Sequence, residues 1–342
     1  MKKRVAILTG GGDCAGLNAA IRAVAIRLLN GGYEVIGIKQ GWKGLLEKIA
    51  EPIDKSSLED VLSKGGTFLE TSRTNIYKTE NGLERTKNNF ADLGLEAIVA
   101  IGGEDTLGVA GKLYEDGLPV VGIPKTMDND VGGTDYCIGF DTSVSISVDA
   151  VEKLRDTAKS HRRNMVLEVM GRHAGWVALY TGIASGADWV FVPEVEPNFD
   201  DAARAILKKR KRGQNYAVVV ASEGITLDDG AEVEIDSFGH KRVSLRGVGE
   251  KVAREIEEKT GIQTRSSAIG YVQRGGPPTV FDRILATRFG YLAAELVMKR
   301  DFGKMTAMVN GDIIPVDISL ASQVTTVSTN WYKFAEEYFN EK

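Results

Sequence analysis

The chain has 342 residues, enough for one large or two medium α/β domains each with its own core, and two is the better expectation. Lysine and arginine number 43 against 47 aspartate and glutamate, a formal net charge of -4 with no dominant basic block, which argues against nucleic acid as a partner. The two cysteines, Cys14 and Cys137, exclude a disulfide framework, and no apolar run reaches bilayer length, so no membrane partner is expected. After the basic start, the apolar stretch lasts only from Val5 to Leu8, too short for a signal peptide, and a cytoplasmic protein is expected.

In chain order, residues 4–8 read as a strand, 17–29 as a helix and 34–38 as a strand, the βαβ rhythm of a doubly wound sheet. Further strands are predicted at 97–101 and 120–123. A charge-rich helix over 143–160 then divides the chain, and strands resume at 165–170, 189–192 and 217–222. The pattern predicts an α/β protein of two Rossmann-like, three-layer α/β/α domains with mostly parallel sheets and the active site in the cleft between them. The segment 267–272 is a candidate return to the first half. Glycine pairs at Gly65-Gly66, Gly132-Gly133 and Gly275-Gly276 read as turns or ligand loops.

The first strand ends in Thr9-Gly10-Gly11-Gly12-Asp13 ahead of a helix, which suits either a tight turn or an anion nest at a helix N-terminus. It is neither G-x-G-x-x-G nor a P-loop. Two later runs, Gly102-Gly103-Glu104-Asp105-Thr106 and Pro124-Lys125-Thr126-Met127-Asp128-Asn129-Asp130, each follow a predicted buried strand. Both should therefore sit where open α/β sheets place their ligand crevice. Glycines admit phosphate oxygens to the backbone, carboxylates hold Mg²⁺ or take a proton, and lysine neutralises phosphate charge, so together they describe phosphoryl transfer. Asp128 and Asp130, two apart, share a side of an extended segment. Alone they would suit an Asx-turn pair; between Pro-Lys-Thr and a glycine pair they read as carboxylates of one site, one of them able to accept a hydroxyl proton. The cluster 208–212 is a solvated helix end or an interface anion site. His161, His173 and His240 show no metal-ligand spacing and read as structural.

Gly11-Gly12-Asp13, Gly65-Gly66-Thr67-Phe68-Leu69, the two runs above, Met170-Gly171-Arg172, Ser222-Glu223-Gly224 and Gln273-Arg274-Gly275-Gly276 appear in order along the chain. On these motifs the sequence resembles the phosphofructokinases over essentially its whole length. The resemblance implies a phosphoryl-donor domain at 1–139 plus about 274–323 and a fructose 6-phosphate domain at 140–273 plus about 324–342. It implies that Asp128 is the general base for the sugar 1-hydroxyl, with Asp130 and Glu104 at the magnesium and Lys125 and Arg172 also in the catalytic group. Thr126, Met170, Gly171, Arg172 and Glu223 would hold fructose 6-phosphate. Arg163, Arg265 and Arg274 would bind its 6-phosphate, Arg163 and Arg265 reaching in from a neighbouring subunit of a dimer or tetramer. Gly12, Arg73 and Gly103 would contact the donor, with Asp105 and Lys125. Arginine forks suit phosphate oxygens and a carboxylate such as Glu223 suits sugar hydroxyls.

Two departures bear on the donor. ATP-using members of the family generally have glycine where this chain has Asp105, and many also where it has Lys125; diphosphate-using members resemble this chain at both. Asp105 would set volume and negative charge where an α-phosphate would lie. Two unit charges roughly 4 Å apart repel by about 1 kcal/mol in water and about 4 at an effective dielectric near 20. The resemblance therefore implies diphosphate as donor, with ATP the alternative. Tyr271, where many ATP-using members have histidine, is an expected substrate contact that can donate a hydrogen bond to the 6-phosphate. At the positions of the family's cationic effector pocket, Arg22, Lys55, Arg155 and Arg212 keep charge while Ile26 and Gln214 do not, which implies weak or absent allosteric control.

Overall fold

The structure, a computed structural model, describes residues 3–227 and 247–339; His240 lies outside the described residues. The chain divides into two compact units, Met1–Thr142 with Arg274–Val324, and Ser143–Gln273 with Thr325–Lys342.

The first unit is built on a seven-stranded sheet. Its strands are β1 (Arg4–Thr9), β2 (Glu34–Ile38), β3 (Ala50–Ile53), β4 (Leu95–Gly102), β5 (Val120–Pro124), β10 (Lys304–Val309) and β11 (Asp312–Asp317). The spatial order is β11-β10-β5-β4-β1-β2-β3. The five central strands run parallel, and β3 and β11 pair antiparallel at the two edges. The unit also holds helices α1 (Leu17–Asn30), α2 (Gly41–Glu47), α3 (Gly82–Asp92), α4 (Glu104–Glu115) and α9 (Val280–Lys299). All of β5 and nearly all of β1 and β4 are buried, as a parallel sheet between helices requires of its apolar runs. From β1 the chain continues to β2 on one side, while β4 lies on the other. This is the topological switch point, and the loops after β1 and β4 leave the sheet side by side there.

In the second unit a four-stranded, wholly parallel sheet has the order β7-β8-β6-β9, from β6 (Asn164–Val169), β7 (Trp189–Phe191), β8 (Ala217–Ser222) and β9 (Thr264–Ala268). Its helices are α5 (Phe140–His161), whose first three residues belong to the first unit, α6 (Trp176–Ser185), α7 (Phe199–Lys211), α8 (Val248–Thr260) and α10 (Thr329–Phe339). Every residue of β6 and β8 is buried.

The expected return to the first half over 267–272 is corrected: Ser267 and Ala268 finish β9 beside β6, and the crossing comes at Arg274. β9 is a half-exposed edge strand of sequence Thr-Arg-Ser-Ser-Ala, so it lacks the apolar run that revealed β6, β7 and β8. The basic cluster lies at a helix end with Lys208, Lys209 and Arg210 half-buried. Lys208 to Lys211 make up the last turn of α7, where cations complement the helix dipole, and Lys209 donates to Asp188 Oδ1 at 2.9 Å. Among the described residues no helix is long and apolar enough to cross a membrane.

Candidate active site

In the first unit the glycine loop after β1 is held by its carbonyls. Lys125 Nζ donates to Gly10 O at 3.1 Å and to Gly12 O, Thr71 Oγ1 to Gly11 O at 2.6 Å, and Arg274 Nη1 to Asp13 O at 2.9 Å. The Gly10 and Gly11 amides donate to Ile101 O and Ser72 O. Two of the three glycine amides are thus committed to the protein, and α1 begins at Leu17 as expected, after Gly16. A Cβ at Gly12 would lie 2.5 Å from Arg274 Nη1, so a larger residue there would displace the end of that arginine. Lys125 is 2 % exposed and burial depresses its pKa, so the two carbonyls are what keep the ammonium tolerable.

The loop after β4 begins with Gly103 in extended conformation, followed by Glu104 and Asp105 in the first turn of α4. Asp105 is exposed and Glu104 half-buried. Anionic side chains are favoured there by the helix dipole.

Lys125 N–H continues the ladder beyond β5 to Gly102 O at 2.9 Å, and the chain then turns. The Asp128 amide donates to Thr126 Oγ1 at 3.2 Å, and Asn129 takes a left-handed φ of 54°. Its side chain fixes that turn, donating to Asp135 O at 3.0 Å and accepting from the Cys137 amide at 2.8 Å. The segment Asp128 to Asp130 is thus a turn and not the extended stretch expected, yet the two carboxylates still feel each other. Burial first, then Asp128, then Glu104 push the Asp130 pKa up to about 7. Asp128 is 7 % exposed, and its Oδ1 is buried without a hydrogen-bond partner among the described residues.

No group of three or more His, Cys, Asp or Glu among the described residues is arranged to hold a metal by itself. Glu104 and Asp128 both raise the Asp130 pKa by charge repulsion, and Asp128 Oδ1 is unsatisfied among the described residues. That suits Mg²⁺, which commonly binds through one or two carboxylates and completes its octahedron with phosphate and water.

In the second unit the loops after β6 and β8 clasp each other. The Glu223 amide donates to Val169 O at 2.9 Å, the Gly171 amide to Glu223 Oε1 at 3.4 Å, and Ser222 Oγ to Gly171 O at 2.6 Å. Gly171 sits at φ 139°, and a Cβ on Gly224 would stand against the Arg172 carbonyl oxygen. Met170, Gly171, Arg172 and Glu223 are brought together by these bonds. Arg163 and Arg265 are not with them: Arg163 precedes β6, and Arg265 faces Met165 in the strand register. Five residues of strand, roughly 16 Å at about 3.3 Å each, separate that end from Met170. Arg265 is exposed, and Arg163 Nε is buried without a hydrogen-bond partner among the described residues. Tyr271 is 73 % exposed in the 3-10 turn before Arg274, and Arg73 in the first unit is exposed.

Arg22, Ile26 and Lys55 line a cavity of about 790 Å³ in the first unit, and Arg155, Arg212 and Gln214 one of about 530 Å³ in the second. Asp188 in the latter is already occupied by Lys209, Gln214 and the Val218 amide. Sequence reasoning missed Asn129 and Gln273 as site residues. The signal for Asn129 was an asparagine between two aspartates, a residue type that tolerates left-handed backbone. Gln273 had none beyond its place before Arg274, although its Oε1 accepts from the Met170 amide at 2.8 Å.

Residues 4–297 match the profile of the family described as Phosphofructokinase. The chain is 47 % identical over 346 residues to a pyrophosphate--fructose 6-phosphate 1-phosphotransferase of Dictyoglomus thermophilum, covering 99 % of each chain. It is 44 % identical over 334 residues to ATP-dependent 6-phosphofructokinase 3 of Streptomyces coelicolor, covering 95 % of this chain and 96 % of the other. Its fold is similar to the crystal structure of a pyrophosphate-dependent phosphofructokinase from Nitrosospira multiformis, with a TM-score of 0.85 at 21 % identity over 99 % of this chain and 91 % of that one.

Proposed function

The chain belongs to the phosphofructokinase family, and on that premise we propose that it moves a phosphoryl group from diphosphate to the 1-hydroxyl of D-fructose 6-phosphate. The products are fructose 1,6-bisphosphate and phosphate, and the step is reversible, as suits glycolysis run in either direction in the cytoplasm. The observation that carries the donor assignment is Asp105, exposed in the first turn of α4 beside Glu104, with Lys125 retained at the glycine loop.

Asp128 takes the proton of the attacking hydroxyl at its unpartnered Oδ1, an atom already stripped of competing donors. Lys125 spends two of its three N–H donors on Gly10 and Gly12 carbonyls, so it faces diphosphate with a fixed charge and one further donor. Glu104 and Asp130 would hold Mg²⁺, which supplies charge neutralisation on the moving phosphoryl group. Gly12, Arg73 and Gly103 line the donor, and Asp105 limits it to a diphosphate by opposing an α-phosphate. Thr126, Met170, Gly171, Arg172 and Glu223 hold the sugar. Arg274 and Tyr271 reach its 6-phosphate. Arg163 and Arg265, at the far end of their sheet, serve the site of a neighbouring subunit, which makes the active protein an oligomer.

Phosphorus NMR on the protein with fructose 6-phosphate, Mg²⁺ and diphosphate tests the reading. Loss of the diphosphate resonance with matched growth of phosphate and the sugar 1-phosphate is the expected result. Turnover with ATP and none with diphosphate would establish the ATP-dependent alternative.

A further inference from the structure

Gln273 is 1 % exposed, and every polar atom of its amide is used. Oε1 accepts from the Met170 amide at 2.8 Å, while Nε2 donates to Ser143 Oγ at 3.1 Å and Ser147 Oγ at 3.0 Å. The orientation is unambiguous. Ser147 gives its only hydroxyl proton to Ser143 O at 2.8 Å, so its oxygen can only accept from Gln273, and the opposite amide face is left for the Met170 N–H. Ser143 and Ser147 lie one turn apart on α5, so a rigid helix sets the glutamine and the glutamine sets the first residue of the Met170 to Arg172 loop. The other bonds on that loop, from Glu223 and Ser222, fix Gly171. Met170 has Gln273.

We infer that Gln273 is a positioning residue for sugar binding, oriented by Ser143 and Ser147 and acting through the Met170 backbone. This rests on the proposed role of the Met170 to Arg172 loop in holding fructose 6-phosphate. Methionine at 273 keeps the volume and removes all three hydrogen bonds, leaving a buried amide and two hydroxyls without their partner.

The test is calorimetric titration of fructose 6-phosphate into the full chain, wild type and Gln273→Met, together with KM for both substrates. The expected result is at least about a tenfold loss of fructose 6-phosphate affinity with the diphosphate KM unchanged within about twofold. Ser143→Ala with Ser147→Ala, which keeps the amide and removes its acceptors, should shift the same two constants in the same pattern, and it stands in if Gln273→Met does not fold. Wild-type protein that fails to bind fructose 6-phosphate overturns the sugar assignment and this inference with it. Wild-type binding together with unchanged affinity in a folded variant, or equal shifts for sugar and diphosphate, overturns the positioning role and leaves the sugar assignment standing.

Discussion

A buried carboxylate oxygen with no donor nearby is costly unless a ligand or a proton completes it, and Asp128 Oδ1 is such an atom. Asp128→Ala should therefore lower kcat by about 10²- to 10⁴-fold with substrate KM values little changed, as steady-state kinetics would read. Retention of near wild-type kcat would move the base role to Asp130. For Asp130 the structure makes a pH prediction. Its pKa rises from 3.8 unfolded to about 7 folded, so its contribution to stability is fully present below about pH 4 and lost as pH climbs through 7. With divalent cations chelated, the melting temperature of wild type relative to Asp130→Asn should fall between pH 4 and 7 and level off above. A difference that does not change with pH would refute the burial and Asp128 repulsion assigned to Asp130. At this scale the sequence was partly legible. The two carboxylates were readable from their spacing, whereas the turn that joins them depends on Asn129 bonding to Asp135 and Cys137, a closure that spacing does not encode.

The loops that carry the site are set by the strands that precede them. β4, β5, β6 and β8 were visible as apolar runs because parallel strands covered by helices are buried on both faces. β9 was misplaced because an edge strand need not be apolar, and the antiparallel edge strands β3 and β11 are also partly or largely exposed. The glycine loop was read as either a tight turn or an anion nest. Its carbonyl anchors come from Lys125, Thr71 and Arg274, far apart in sequence, so no local pattern could show them. The clasp of the β6 and β8 loops yields its own prediction. Gly224→Ala places a methyl group against the Arg172 and Gly171 carbonyls, backbone that can yield only by shifting the sugar loop. KM for fructose 6-phosphate should rise about tenfold or more while KM for diphosphate stays within about twofold, and equal KM values in wild type and variant would contradict the clasp's role.

For the whole molecule, the proposed roles of Arg163 and Arg265, with Arg265 facing Met165 five residues before Met170, call for sites completed by a second copy of the chain. Mixed and reassembled Asp128→Ala and Arg265→Ala proteins should recover activity that neither has alone; confirmed mixing without recovery would contradict shared sites. The central claim concerns the donor, since relatives at 47 % and 44 % identity bear diphosphate and ATP names respectively and the fold serves both. In the proposed reading Asp105 and Lys125 decide between them, through repulsion of an α-phosphate and neutralisation of charge on the small diphosphate. The most direct measurement is kcat/KM for diphosphate and for ATP on one preparation, at saturating fructose 6-phosphate and Mg²⁺, repeated with Asp105→Gly. The wild type should favour diphosphate and Asp105→Gly should gain about tenfold or more with ATP; ATP turnover by wild type with no turnover of diphosphate would contradict the account.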